Sequence, residues 1–271
     1  MELNKYEKAV ANIRRELESY ISGHNLKSLV IGESGGIDSA LCSALAAPVC
    51  AKLGVKLIGR SITIETNKQD EIDRGKAIGE AFCTDFKEID LTSLYKVTLE
   101  DVEEAEPADE SDREKRVRLG NIKARMRMVY LYNLAQKFRG IVLSTDNYTE
   151  FLLGFWTLHG DVGDYGMIQQ LWKTEVYELS QYLVDNELQG DGKAALQSCI
   201  DAVPTDGLGI TSSDLEQLGA SSYFEVDETL KKNEGNPDNF KSKNPVIQRH
   251  VRSEYKRNHP FNLTRDEVFA N

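Results

Sequence analysis

The chain has 271 residues, 40% hydrophobic and 28% charged, enough for one large α/β domain with a buried core spanning 1–271. Its formal net charge of −11 argues against non-specific nucleic-acid binding, which needs an excess of Lys and Arg along a groove. No apolar run approaches the ~20 residues that cross a bilayer, and the charged N-terminus lacks a signal-peptide core; the expectation is a cytoplasmic protein with no membrane partner.

Residues 2–22 carry apolar side chains at helical spacing, namely Tyr6, Val10, Ile13, Leu17, Tyr20 and Ile21. KSLVIG (27–32) is a short apolar run ending in glycine and reads as a buried strand. Asp38–Leu53 reads as an apolar helix closed by Gly54, with Pro48 inside it expected to kink or break it. A strand over 55–64, a helix over Lys68–Phe82 and a strand over 86–91 follow. The acidic run 100–115, with Pro107, reads as a solvated and mobile connection. The pattern then predicts a long helix over Arg116–Phe138, a fourth strand over 140–145, and helices over Lys173–Val184 and Lys193–Ala202. Thr205–Phe224, rich in Gly, Ser, Thr and Asp, reads as a long loop able to close as a lid. Asn244-Pro245 forms an N-cap and N1 pair opening a final helix to about Lys256. Strands alternating with helices imply a parallel sheet covered on both faces, with ligands beyond the carboxyl ends of the strands.

The four cysteines (Cys42, Cys50, Cys83, Cys199) form no C-x-x-C pair and read as buried thiols, and the four histidines show no metal-ligand spacing. The informative segment joins the first strand to the first inner helix: Gly32-Glu33-Ser34-Gly35-Gly36-Ile37-Asp38-Ser39. Its glycines bring main-chain N–H groups close to a ligand, and the helix N-terminus adds unpaired donors and a partial positive charge. Ser34 and Ser39 add hydroxyl donors. The loop therefore suits a pyrophosphate, and it is not a Walker A loop, since no G-K-[ST] follows. Asp38 would repel bound phosphates unless a cation intervened, which points to Mg²⁺; the plainer role of a carboxylate there is to cap the helix.

This S-G-G-x-D-S pattern resembles the signature of ATP pyrophosphatases, which cleave ATP between its α- and β-phosphates. The segments GNIKAR (120–125), STDNYTE (144–150), GFWTLHGD (154–161), LWKTEVYELS (171–180), PT (204–205) and SEYKRNHP (253–260) resemble NAD synthetases in order and spacing. The resemblance covers residues from about 10 to 260. It implies a Rossmann-like parallel sheet with helices on both faces, usually in a homodimer. The implied activity is amidation of deamido-NAD to NAD with ATP and ammonia. Because the chain has no room for a glutaminase domain, the ammonia-dependent form is expected.

Carried over by resemblance, Gly32, Glu33, Ser34, Gly35, Gly36, Ile37, Asp38, Ser39, Thr145, Lys173 and Thr205 contact ATP. Asp38 and Glu150 form the magnesium pair. Arg125, Leu158, Asp164, Tyr255 and Lys256 fall at deamido-NAD positions, and Asp161 would orient the nicotinate end. Asp38, Lys173 and Asp161 are the expected catalytic set. The chain departs from many bacterial relatives at Leu158, where they carry Lys, and at Tyr255, where they carry His. A tRNA-thiolating enzyme and a non-catalytic nucleotide sensor are the alternatives; the acidic charge and the complete carboxylate pair argue against each in turn.

Overall fold

In chain order the elements are α1 (Lys5–Gly23), β1 (Ser28–Gly32), α2 (Ile37–Leu53), β2 (Lys56–Thr63), α3 (Gln69–Phe82), β3 (Asp85–Asp90), α4 (Thr92–Val102) and α5 (Asp112–Lys137). There follow β4 (Gly140–Ser144), α6 (Tyr148–Leu153), β5 (Tyr165–Gly166), α7 (Lys173–Asn186), α8 (Gly190–Ile200), α9 (Asp214–Leu218) and α10 (Tyr223–Lys232). The C-terminal part holds α11 (Pro245–Arg252), α12 (Glu254–Arg257) and α13 (Arg265–Val268). The computed structural model describes residues 4–65, 67–103, 109–203 and 214–270.

The five strands form one sheet in the order β3-β2-β1-β4-β5, with every pairing parallel. The chain winds outward from β1 to β3, then crosses back through α4 and α5 to β4 on the other side of β1. That reversal is the topological switch point of a Rossmann-like sheet, and a crevice opens there beyond the ends of β1 and β4. Alternation along the strands divides the core between two faces. Leu29, Ile31 and Leu57 pack with α1, α2, α7 and α8. Val30, Ile58 and Val142 pack with Met128, Leu131 and Ala135 of α5 on the other face. A satellite core joins α6, α9, α10 and α11 through Leu153, Leu218, Val226 and Ile247. Among the described residues no helix is long and apolar enough to cross a membrane.

The structure departs from the sequence expectations in places. Pro48 does not break α2, which runs unbroken through it to Leu53. The proline lies on the helix's exposed side while eleven neighbours in the same helix are buried, so packing overrides the local penalty. The acidic run is largely helical at both ends. Val102 closes α4, and Ser111 caps α5 with Glu114 completing a capping box, so α5 begins four residues before Arg116. Glu103 and Glu110 both pair with Arg118, at 2.9 and 2.7 Å, and are not simply solvated. The last helix is split at Ser253 into α11 and α12. Of the supposed loop 205–224, residues 214–218 are helix α9 and Tyr223 opens α10; its first part, with the expected lid, lies outside the described residues.

Candidate active site

The chain leaves β1 at Gly32 and turns through Gly35 and Gly36 into α2. Gly35 has φ +79°, and a Cβ there would stand 2.1 Å from the Glu71 carbonyl oxygen, so only glycine fits. Gly36 is the N-cap of α2 and no side chain caps it, which leaves the first-turn amides open to an anion. The Ser34 and Ser39 hydroxyls lie 3.1 Å apart, and the Gly36 N–H donates to Ser34 Oγ at 3.2 Å. Glu33 behaves differently. Its N–H donates to the Arg60 carbonyl at 2.8 Å, and its carboxyl turns into the core. There it accepts from Ser43 Oγ at 2.5 Å and from Cys83 Sγ at 3.6 Å, and burial pushes it up to about 7. Glu33 therefore offers the cleft only its main chain.

Three charged side chains converge at the mouth of this loop. Lys173 is the first residue of α7 and is buried. Its Nζ donates to Asp38 Oδ2 at 2.5 Å and to Glu150 Oε1 at 2.9 Å. Burial alone would strip the lysine of its proton, but the two carboxylates hold it well above its ordinary value. Burial and the neighbouring Asp38 push the Glu150 carboxyl up. Asn147 ties the carboxylates together: its Nδ2 donates to Asp38 Oδ1 at 2.8 Å, while its Oδ1 accepts from the Glu150 N–H at 3.0 Å and so caps α6. Asp146 and Asp161 complete an acidic wall. Burial, reinforced by Asp161, raises Asp146 to about 7, and Ser144 Oγ donates to it at 2.6 Å. Burial also raises Asp161, against the pull of the Thr157 N–H at 2.7 Å.

Asp38, Asp146, Glu150, Asp161 and Lys173 share one cleft of about 400 Å³ at the carboxyl ends of β1 and β4, which Thr145, Asn121, Arg127, Arg249 and Lys256 also line. The two carboxylates suit Mg²⁺, a hard cation that commonly takes one or two carboxylates and fills its shell with water and phosphate oxygens. They already share one cationic group, the Lys173 ammonium. Among the described residues no group of three or more His, Cys, Asp or Glu stands ready to hold a metal unaided.

The remaining sequence-predicted positions divide. Arg125 lines a shallower adjoining hollow with Arg113, Arg118 and Arg249, and donates to the Leu158 carbonyl at 3.0 Å. Leu158 itself lines neither the cleft nor the hollow. Lys256 faces the cleft but is tethered to the carbonyls of Gly154, at 2.7 Å, and Trp156; burial and Arg249 lower it to about 8. Asp164 sits outside the cleft, accepting from the Val142 N–H at 3.0 Å and Tyr132 Oη at 2.9 Å. Tyr255 is 59% exposed and lines neither pocket. Thr205 lies outside the described residues. Sequence reasoning passed over Asp146 and Asn147, although both stand inside STDNYTE, the segment that supplied Thr145 and Glu150.

A family model described as NAD synthase matches residues 9–260. The chain belongs to the NAD synthase family. It is accordingly an enzyme, a ligase. The NH(3)-dependent NAD(+) synthetase of Methanosarcina mazei is 34% identical over 249 residues, covering 87% of this chain and 89% of that protein. Among solved structures, an NMN synthetase from Francisella tularensis superposes with a TM-score of 0.78 at 25% identity, over 97% of this chain and 99% of that one. An NH3-dependent NAD synthetase from Campylobacter jejuni has a TM-score of 0.70 over 97% of this chain and 100% of that one; at 20% identity it speaks to the fold of this NAD synthase family member alone.

Proposed function

We propose that the chain joins ammonia to the nicotinate carboxylate of deamido-NAD at the expense of ATP, giving NAD, AMP and pyrophosphate through an NAD-adenylate. The observation that carries this reading is the convergence of Asp38, Glu150 and Lys173 on the uncapped start of α2. A carboxylate oxygen attacks the α-phosphorus of ATP, and the bond to the bridging oxygen of the β-phosphate breaks. The 32–39 loop receives the departing pyrophosphate through main-chain amides and the hydroxyls of Ser34 and Ser39. Lys173 neutralises charge as the phosphorus becomes pentavalent. Asp38 and Glu150 are the residues that would hold Mg²⁺, whose charge, when bound, offsets that of the phosphates. Ammonia then attacks the acyl carbon, loses a proton, and AMP departs with its acquired oxygen. No covalent nucleophile is required; positioning and electrostatics suffice.

Thr145 and Thr205 are assigned to ATP on the same reading. Arg125, Leu158, Asp161, Asp164, Tyr255 and Lys256 are assigned to the nicotinate dinucleotide on the resemblance; of these, Asp161 and Lys256 line the cleft and Arg125 the hollow beside it. A homodimer fits the outer side of α5, where Val129 is 72% and Tyr132 39% exposed.

The structural likeness to an NMN synthetase supports a second acceptor, the mononucleotide, whose nicotinate carboxylate would undergo the same chemistry. One experiment compares them. The protein is incubated with ATP, Mg²⁺, ammonium and either acceptor, and nucleotides are separated by chromatography. A higher kcat/KM for NAD formation supports the first reading, and a higher one for NMN formation supports the second. No amide product from either sinks both.

A further inference from the structure

Lys173 occupies an electrostatically awkward place. It is the first residue of α7, where the helix macrodipole disfavours a cation. The residue before it, Trp172, makes no capping bond with its side chain. Two of the orphan amides at this helix start are satisfied from elsewhere in the chain. The Lys173 N–H donates to Thr149 Oγ1 of α6 at 2.9 Å. The Thr174 N–H donates to Asp227 Oδ2 of α10 at 3.0 Å.

Asp227 is fully buried and sits at the hub of this arrangement. Its Oδ2 also accepts from Thr174 Oγ1 at 2.8 Å, and its Oδ1 accepts from Thr149 Oγ1 at 2.6 Å. Thr149 thus takes a proton donor from α7 and gives one to α10, and it directly precedes Glu150. One turn before Asp227 on the same helix, the Tyr223 ring lies 5.3 Å from Lys173 Nζ. Among the described residues the partners of Asp227 are hydroxyls and an amide, not a cation. A carboxylate buried without an ion pair is costly unless its geometry is well satisfied. Here it is satisfied only by the segments that carry Lys173 and Glu150.

We infer that Asp227 is a positioning residue for the amidation reaction: it fixes the starts of α6 and α7 so that Lys173 and Glu150 face Asp38. Asp227 caps the Thr174 N–H from outside the helix, beside Glu175, which accepts from the Trp172 N–H at 3.2 Å, and so adds a carboxylate where the dipole of α7 and the buried lysine both favour one. This inference rests on the catalytic reading of Lys173 given above.

The test is a double-mutant cycle on kcat, measured as AMP formation well below the unfolding temperature of each variant. Asp227→Asn keeps the shape but replaces one acceptor with a donor. It is expected to lower kcat 10- to 100-fold, the scale of a sub-ångström to 1 Å misplacement. In a Lys173→Gln background the same change is expected to cost several-fold less than in the parent, because only Glu150 is left to position. Thr149→Val, which removes both of its bonds with little change of volume, carries the same cycle if Asp227→Asn does not fold. An equal fold-loss in both backgrounds, or wild-type kcat in Asp227→Asn, overturns the inference. Wild-type kcat in Lys173→Gln overturns instead the reading of Lys173 on which it rests.

Discussion

At the scale of single residues, the cleft sets the carboxylates of Asp38 and Glu150 against the Lys173 ammonium, with Asp146 and Asp161 beside them, and each has a separate physical setting. Asp38 has lost most of its solvent, and both its oxygens are bonded, one to Asn147 and one to Lys173. Asp38→Asn keeps the shape but can accept from only one of the two donors, so it should leave the fold intact yet lower turnover at least 100-fold; circular dichroism and AMP formation check the two halves. Glu33 makes a different prediction. Its carboxyl is raised from 4.5 to about 7 in the folded chain. Below pH 4.5 both states hold the proton and the residue is neutral to stability. As pH rises through the window from 4.5 to about 7 the unfolded chain ionises first, so folding loses up to about 3 kcal/mol. Denaturant unfolding at pH 5 and pH 8 should show this loss, and Glu33→Leu should shrink the difference between the two pH values. An unchanged difference would contradict the buried setting of Glu33. Nothing local in G-E-S-G-G announces that setting; it depends on Ser43 and Cys83, which the fold brings beneath the loop.

At the scale of elements, legibility followed the range of the signals. The β1–loop–α2 unit was readable because its cues are adjacent: an apolar strand, glycines, then a carboxylate in the first helical turn. Helix α6 was not, since six residues hold less than two turns and show no 3.6-residue period. β5 has two residues and owes its existence to pairing with Leu143 and Ser144. α9 lay inside the stretch read as loop, and α10, which starts at that stretch's last two residues, was not read at all, although Ser222 caps it through the Glu225 N–H at 3.2 Å. Two predictions belong here. Gly35→Ala should cut ATP affinity at least tenfold by calorimetry, since the positive φ and the Glu71 carbonyl both oppose a Cβ. Asn147→Ala should remove about 1 kcal/mol of helix capping, whereas Asn147→Asp should retain the cap. Both should weaken Mg²⁺-ATP binding, because neither can donate to Asp38. If Asn147→Asp binds Mg²⁺-ATP like the parent, the Asn147–Asp38 bond has no part in the site.

At the scale of the whole molecule, the sheet order puts β1 and β4 side by side at the switch point, and residues 135 apart in sequence meet there as Asp38 and Lys173. Strand and helix alternation made the parallel sheet legible, but the meeting itself was accessible only through family resemblance. The same resemblance pointed to Asp164 and Tyr255, which line neither the cleft nor the hollow beside it. A ligand that binds only the folded state should stabilise it, by about 2.7 kcal/mol at a hundred times its dissociation constant. ATP with Mg²⁺ should therefore raise the unfolding temperature, and Asp38→Asn should abolish that rise.

The central claim is that the loop after β1 receives a pyrophosphate cleaved from the α-phosphate by the substrate's own carboxylate. Deamido-NAD labelled with ¹⁸O in both carboxylate oxygens tests it in a single turnover. The account predicts one labelled oxygen in AMP and one in the amide of NAD, by mass spectrometry. Label in inorganic phosphate with ADP as the nucleotide product, or AMP free of label, would contradict it.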